Sequence, residues 1–290
     1  MTYLTAFLAL FLLLWAAFYK ILPGIWRGMQ WLAGHAAAIT QRSSRGQRAY
    51  TYAHQFRDYW PVLLIVVGGA LATMWLGDFF VDLAELVQGK STLLARVDSG
   101  VLSWVVGERS SSATSFFVAM TMIGGPVGVA VIVTLAAIAL AVRRKWAWLS
   151  YLLATAGGGG LLNLELKHHF ARARPALAEA IRRAGGYSFP SGHAMGSTVA
   201  FGALAYLAIR LSWQWRWKAA CLALACTMVL AVAASRLYLG VHWLSDVGAG
   251  ISAGTVWVIV TTVAYETFRR IRGVRRVRLA ARNGAEELTE

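Results

Sequence analysis

Seven stretches of this 290-residue chain are apolar over roughly the length that crosses a bilayer: 1–19, 60–77, 115–142, 146–164, 194–209, 219–235 and 247–265. A hydrocarbon core takes about 20 such residues per helix. A chain that is 58% hydrophobic and only 14% charged does not have the composition of a domain built for water. In lipid, each backbone polar group must find its partner within the protein, so the stretches are expected as helices. The fifth and sixth are short when counted between charges. They reach full length with Ser191 and Gly192 and with the long side chains of Arg210 and Lys218, which can extend toward the interface. The expected fold class is all-α, a polytopic membrane helix bundle.

Charge placement orients the bundle. No basic residue precedes the first apolar run, and its first cations, Lys20 and Arg27, follow it. This favours a retained helix with its N-terminus outside over a cleaved signal peptide. The inner segments are then 20–59, 143–145, 210–218 and 266–290, which hold 19 of the 28 Lys and Arg residues. The outer segment 78–109 has Lys90, Arg96 and Arg109 against five acids, Asp78, Asp82, Glu85, Asp98 and Glu108. Six further cations, Lys167, Arg172, Arg174, Arg182, Arg183 and Arg236, fall on the outer side against the charge rule, which marks them as candidates for function. The net charge of +15 is accounted for largely by inner flanks facing anionic lipid headgroups, and no nucleic acid partner is expected.

Smaller features bound the rest. Cys221 and Cys226 both lie within the sixth stretch and read as buried small hydrophobes, not a disulfide or metal pair. Residues 20–59, with Arg42–Gly46 and the aromatics Tyr50, Tyr52 and Phe56, read as a linker plus an interfacial segment. In 78–109, Phe79, Leu83, Leu86, Leu94, Val97, Val101 and Trp104 recur at helical spacing. One or two short helices are expected on the outer surface, either walling a lipid entrance or covering the bundle. The four glycines 157–160 and the Gly250/Gly254 pair read as close helix packing, within the chain rather than between copies. Many of the thirteen tryptophans sit at span ends, as in an interfacial belt. The tail from Arg282 is expected to be disordered.

Three motifs then surface on the outer side: Lys167 with Arg174-Pro175, Pro190-Ser191-Gly192-His193, and Ser235-Arg236 followed by His242 and Asp246. Lys167, Arg174 and Arg236 can neutralise a phosphate, arginine adding paired donors that match its oxygens. Ser191 offers a hydroxyl, and Gly192 lets a backbone N–H approach an anion at the start of a helix. Asp246 follows His242 by four residues, one face of a helix. A carboxylate there can take one imidazole N–H and leave the other nitrogen as a nucleophile. His193 has no such neighbour at helical spacing and suits a general acid. Ser235 reads as a support. His168 and His169 read as interfacial, and Glu165 is expected to pair with a motif cation.

At these residues the chain resembles the type 2 phosphatidic acid phosphatase family, membrane lipid phosphatases related to vanadium haloperoxidases. All three signatures are present without departure in residue type or spacing. The resemblance implies a six-helix phosphatase core at about 60–268 with one extra N-terminal transmembrane helix before it. With the charge reading, the chain divides into that helix and a basic cytoplasmic segment (1–59), the core (60–268) and a basic, then disordered, cytoplasmic tail (269–290). It implies a phosphohistidine at His242, orientation by Asp246, leaving-group protonation by His193, and phosphate binding by Lys167, Arg174, Ser191, Gly192 and Arg236. No metal and no cofactor are expected. The activity expected is hydrolysis of a phosphomonoester or diphosphate lipid headgroup at the extracytoplasmic face of a bacterial inner membrane. Undecaprenyl pyrophosphate leads, with phosphatidylglycerophosphate and phosphatidate behind it. Two alternatives stand beside it: a phosphotransferase passing the phosphoryl group to an acceptor lipid or glycan, and a non-catalytic lipid-binding or transport protein on the same fold.

Overall fold

A computed structural model describes residues 2–40, 60–175, 185–212 and 214–286. The tyrosines and arginines of 41–59, together with Arg182, Arg183 and Trp213, lie outside the described residues. Among those described, nine helices follow one another: α1 (Thr2–Thr40), α2 (Trp60–Gln88), α3 (Thr92–Gly107), α4 (Ser111–Ile123), α5 (Pro126–Val142), α6 (Trp146–Phe170), α7 (Gly192–Leu211), α8 (Trp215–Tyr238) and α9 (Leu244–Glu286). Five are long and apolar enough to cross a membrane, over Tyr3–Ile25, Leu63–Gln88, Gly192–Leu211, Trp215–Tyr238 and Leu244–Gly273. They present apolar side chains outward, among them Leu13, Leu71 and Leu230, as helices facing lipid do.

The third expected span, 115–142, is two helices. α4 and α5 reach span length only together and are bent by 51° at Gly124-Gly125. A Cβ on Gly124 would come within 2.3 Å of the Val232 side chain, so close approach of α8 requires glycine there. Gly125 is extended at the N-cap of α5, and Pro126 begins that helix, where its missing N–H leaves no bond unmade.

The fourth expected span falls on α6, which is long enough but not apolar enough to pass as a span alone. Its four glycines, Asn163, Glu165 and Lys167 lower its hydropathy, and its inward face meets other helices instead. Gly158 and Gly159 receive the Trp257 ring and Val199, and Asn163 Nδ2 lies 3.3 Å from Met195 Sδ.

Other expectations shift at their edges. Phe79, Leu83 and Leu86 belong to the end of α2 rather than to a separate surface helix; only α3 is a separate short helix, and it turns Asp98 and Leu102 inward. Residues 20–40 continue α1 as helix instead of opening a linker, and α9 carries on through Glu286, past Arg282.

The centre of the bundle is α7, α8 and α9. Ala194, Ala203, Ala219, Ala223, Ala233 and Ala249 are buried there, and small side chains let the helices pack closely. Gly250 and Gly254 face α7: a Cβ on Gly250 would sit 2.7 Å from the Ser191 carbonyl oxygen, and one on Gly254 2.9 Å from Thr198 Cβ. The pair therefore packs within the chain. Gly250→Val is expected to lower stability by about 1–3 kcal/mol, as overpacking does. Thermal unfolding in detergent checks this, and an unchanged midpoint would contradict the close approach. Away from the motifs, Glu266 is buried, accepts from Tyr206 Oη (2.6 Å) and Arg269 (2.9 Å) and forms an ion pair with Arg210 (3.1 Å), fastening α9 to α7.

Candidate active site

The three motifs meet at one end of this bundle. α6 ends at Ala171, which adopts a left-handed conformation (φ 44°) and returns its N–H to the Lys167 carbonyl at 3.0 Å. The chain then turns across the bundle end, bringing Arg172 and Arg174 over the N-termini of α7 and α9. Ser191 caps α7, and its N–H donates to the Asp246 carbonyl at 2.9 Å, joining the second motif to the third.

A cavity of about 490 Å³ opens between these segments. Lys167, Arg174, Gly192, His193, Arg236 and His242 line its polar end. Val129, Ala156, Val199 and Ala200 line the remainder, between α5, α6 and α7. The break at Gly124-Gly125 serves this space directly: a Cβ on Gly125 would lie 3.1 Å from His193 Nε2.

His242 is 1% exposed and held at both nitrogens. Its Nδ1 lies 3.3 Å from Asp246 Oδ2, and Nε2 lies 3.0 Å from Arg174 Nη1. A guanidinium has only donors, so Nε2 must accept there and the ring proton must sit on Nδ1, facing the carboxylate. The Nε2 lone pair thus points toward the cavity. Burial pulls the imidazole down to about 4, against the opposing hydrogen bond and charge of Asp246, so His242 is neutral at pH 7.

The cations are held by carbonyls. Lys167 Nζ donates to Tyr187 O at 2.7 Å. Arg174 donates to the carbonyls of Gly185 (3.1 Å), Gly186 (3.0 Å), Tyr187 (3.2 Å) and Val241 (2.8 Å). Burial lowers Lys167 to about 8, with the Arg174 charge adding to the effect, and it also lowers Arg174 from its ordinary value. Both remain mainly charged at neutral pH. Arg236 is buried and donates to Thr121 Oγ1 on α4. Ser191 Oγ is fully buried and has no partner among the described residues. Among those residues the His193 side chain likewise makes no hydrogen bond.

Asp246 does not line the cavity. It stands behind His242, fully buried, accepting also from Trp243 N (2.9 Å), Ser188 Oγ and Arg172 Nη1 (2.6 Å). Arg172 then reaches Asp98 on α3 at 2.8 Å. Asp98 in turn accepts from Ser245 N (2.9 Å) and Ser245 Oγ (2.6 Å). In the sequence Arg172 stands out as an outer cation without an assigned partner, Asp98 is one of the five acids of 78–109, and Ser188, Ser245 and Thr121 carry no signal. One signal was available: Asp98 lies four residues from both Leu94 and Leu102, an acid on the apolar face of α3. Glu165, expected to pair with a motif cation, is exposed and makes no ion pair among the described residues; Arg172 pairs with Asp98 and Asp246 instead. Ser235 Oγ bonds back to the Val232 carbonyl of its own helix at 2.6 Å.

Residues 147–270, which carry all three motifs, match the PAP2 superfamily. They form a PAP2 superfamily domain. The chain is 32% identical over 131 residues to phosphatidylglycerophosphatase B of Bacillus subtilis (strain 168), a match covering 45% of this chain and 64% of that protein. It therefore spans somewhat less than two thirds of that relative's length. The crystal structure of a transmembrane PAP2-type phosphatidylglycerolphosphate phosphatase from Bacillus subtilis superposes with a TM-score of 0.61 and 26% identity, over 66% of this chain and 94% of the other. With several membrane-crossing helices and this likeness, the chain is a multi-pass membrane protein whose PAP2 domain sits at the centre of the bundle.

Proposed function

We propose that this protein is a lipid phosphatase that works through a phosphohistidine at His242, within a core at 60–268. The observation that carries the reading is the two-sided hold on His242. Asp246 takes the Nδ1 proton, while Arg174, a natural phosphate ligand, meets the Nε2 lone pair inside a cavity lined by Lys167, Arg236 and His193. A phosphate entering there would draw Arg174 onto its oxygens and leave Nε2 facing phosphorus.

Nε2 attacks phosphorus, the N–P bond forms and the P–O bond to the leaving group breaks. Lys167, Arg174, Arg236, Ser191 Oγ and the Gly192 N–H balance charge on the remaining phosphoryl oxygens. Asp246 stabilises the positive ring that results. His193 gives its proton to the departing oxygen. It then takes one from the water that attacks the phosphohistidine, releasing inorganic phosphate and restoring both histidines.

The apolar remainder of the cavity suits the first part of a lipid chain, with the phosphate at the polar end. The names of the similar Bacillus proteins support phosphatidylglycerophosphate as the first substrate to test. Undecaprenyl pyrophosphate and phosphatidate follow. The charge bias supports an N-terminus outside, a cytoplasmic C-terminus and an extracytoplasmic site in a bacterial inner membrane. Purified protein in detergent with excess chelator is expected to release phosphate from at least one of the three lipids, and vanadate is expected to inhibit. No release from any of them by folded protein would sink the reading, and dependence on added metal would sink its metal independence.

A further inference from the structure

Behind His242 lies a chain of buried charges that none of the three motifs contains in full. Asp98 is 1% exposed, Asp246 is 0% exposed and Arg172 lies between them. Its Nη2 donates to Asp98 Oδ2 at 2.8 Å and its Nη1 to Asp246 Oδ1 at 2.6 Å. Ser245 Oγ bridges the same groups, 2.6 Å from Asp98 Oδ2 and 2.7 Å from Arg172 Nη1. The Arg172 guanidinium also lies 5.7 Å from the Trp243 ring centroid, and its carbonyl accepts from Ser188 N at 2.8 Å. Asp98 belongs to α3, outside the PAP2 domain at 147–270.

We propose that Asp98 and Arg172 are positioning residues. Arg172 aims the Asp246 carboxylate at His242 and offsets part of its charge, and Asp98 fixes Arg172 and shares that charge. The inference rests on the reading of His242 as nucleophile. A bare carboxylate buried beside His242 would favour imidazolium and remove the lone pair that the attack needs. An arginine committed wholly to Asp246 would have the opposite fault, weakening its hold on the Nδ1 proton. Dividing one arginine between two buried carboxylates gives an intermediate charge in a fixed geometry, and each buried charge keeps a partner.

Other charges facing this group are few. Arg174 meets Nε2 of His242, and Lys167, Arg236 and His193 lie around the cavity. On α2, which packs along α9, the acids Asp78, Asp82 and Glu85 are exposed, as are Arg96 on α3 and Glu108 just past its end. Asp98 and Arg172 are therefore the closest levers on Asp246 besides its hydroxyl and amide donors.

The test follows His242 by histidine-labelled NMR across a pH series in detergent, its signal assigned by loss in His242→Ala. No substrate is required. Arg172→Gln leaves Asp246 less offset and should raise the His242 midpoint by about one pH unit. Asp98→Asn frees Arg172 to act more fully on Asp246 and should move the midpoint the other way. Arg172→Lys keeps the charge and should restore most of the wild-type behaviour. In turnover assays, the acid limb of kcat/KM should move with the NMR midpoint. kcat should fall about tenfold in Arg172→Gln while KM for the lipid stays near wild type. Loss of a merely structural contact would not displace His242 in opposite directions. Midpoints unmoved in both variants, or displaced the same way in both, would overturn the proposal. A wild-type protein inactive on every lipid would overturn the phosphatase reading instead, and the NMR displacements would still judge Asp98 and Arg172.

Discussion

His242→Ala is expected to reduce phosphate release to background, a loss of at least ~10³-fold, because it removes the atom that bonds to phosphorus. The protein should still fold. The ring packs against α6–α7 connector residues and Asp246, and the helices that enclose it are joined by separate contacts: Ser191 N to the Asp246 carbonyl, Gly250 against Ala194, and Arg109 to the Tyr238 carbonyl at 2.8 Å. Asp246→Asn should be milder, since its one amide oxygen can still accept from Trp243 N and His242 Nδ1, although its NH2 then faces Arg172 and it no longer stabilises a cationic ring. Phosphate release from one lipid, measured beside a thermal melt of each variant, separates lost chemistry from lost fold. Turnover by His242→Ala at a substantial fraction of wild type would remove His242 as nucleophile.

Arg174→Ala should have the next largest effect, a loss of about 10²–10³-fold in kcat/KM. Two functions disappear together. One is a pair of donors for phosphoryl oxygens. The other is the brace that gathers the carbonyls of Gly185, Gly186, Tyr187 and Val241 around the cavity. Arg174→Lys restores the charge but not the fork, so it should recover only part of the activity. Vanadate inhibition provides a second readout, and the inhibitory concentration should rise in both variants. Unchanged vanadate affinity in Arg174→Ala would mean that the guanidinium stays on its carbonyls and on His242 when phosphate binds.

Some of this architecture is legible residue by residue. Hydrophobic runs mark α1, α2, α7, α8 and α9, because a helix in lipid needs apolar side chains along its length, whatever its neighbours. The motif residues are legible for a related reason. Lys167, Arg174, Arg236 and His242 are costly in or beside an apolar chain, so their presence signals a task. The small-residue pair Gly250/Gly254 was readable as packing because close helix approach leaves no room for larger side chains.

What escaped the sequence depends on partners far along the chain. The bend between α4 and α5 falls at Gly124, where Val232, more than a hundred residues away, leaves no room for a side chain. α6 reads as a span by length, yet its glycines and Asn163 are matched to Trp257, Val199 and Met195, which compensate for its weak hydropathy. Arg172 and Asp246 are 74 residues apart, and Asp98 and Ser245 are 147 apart. No period or motif spacing links such pairs.

The amino-acid sequence by itself determined that this chain forms apolar helices and that its exceptional polar groups emerge together at one end, since transfer into lipid acts on each residue where it stands. Only the tertiary structure decided which buried charge offsets which, and which nitrogen of His242 keeps its lone pair. Those outcomes are set by distances of about 3 Å between side chains from different helices, and packing alone fixes distances of that kind.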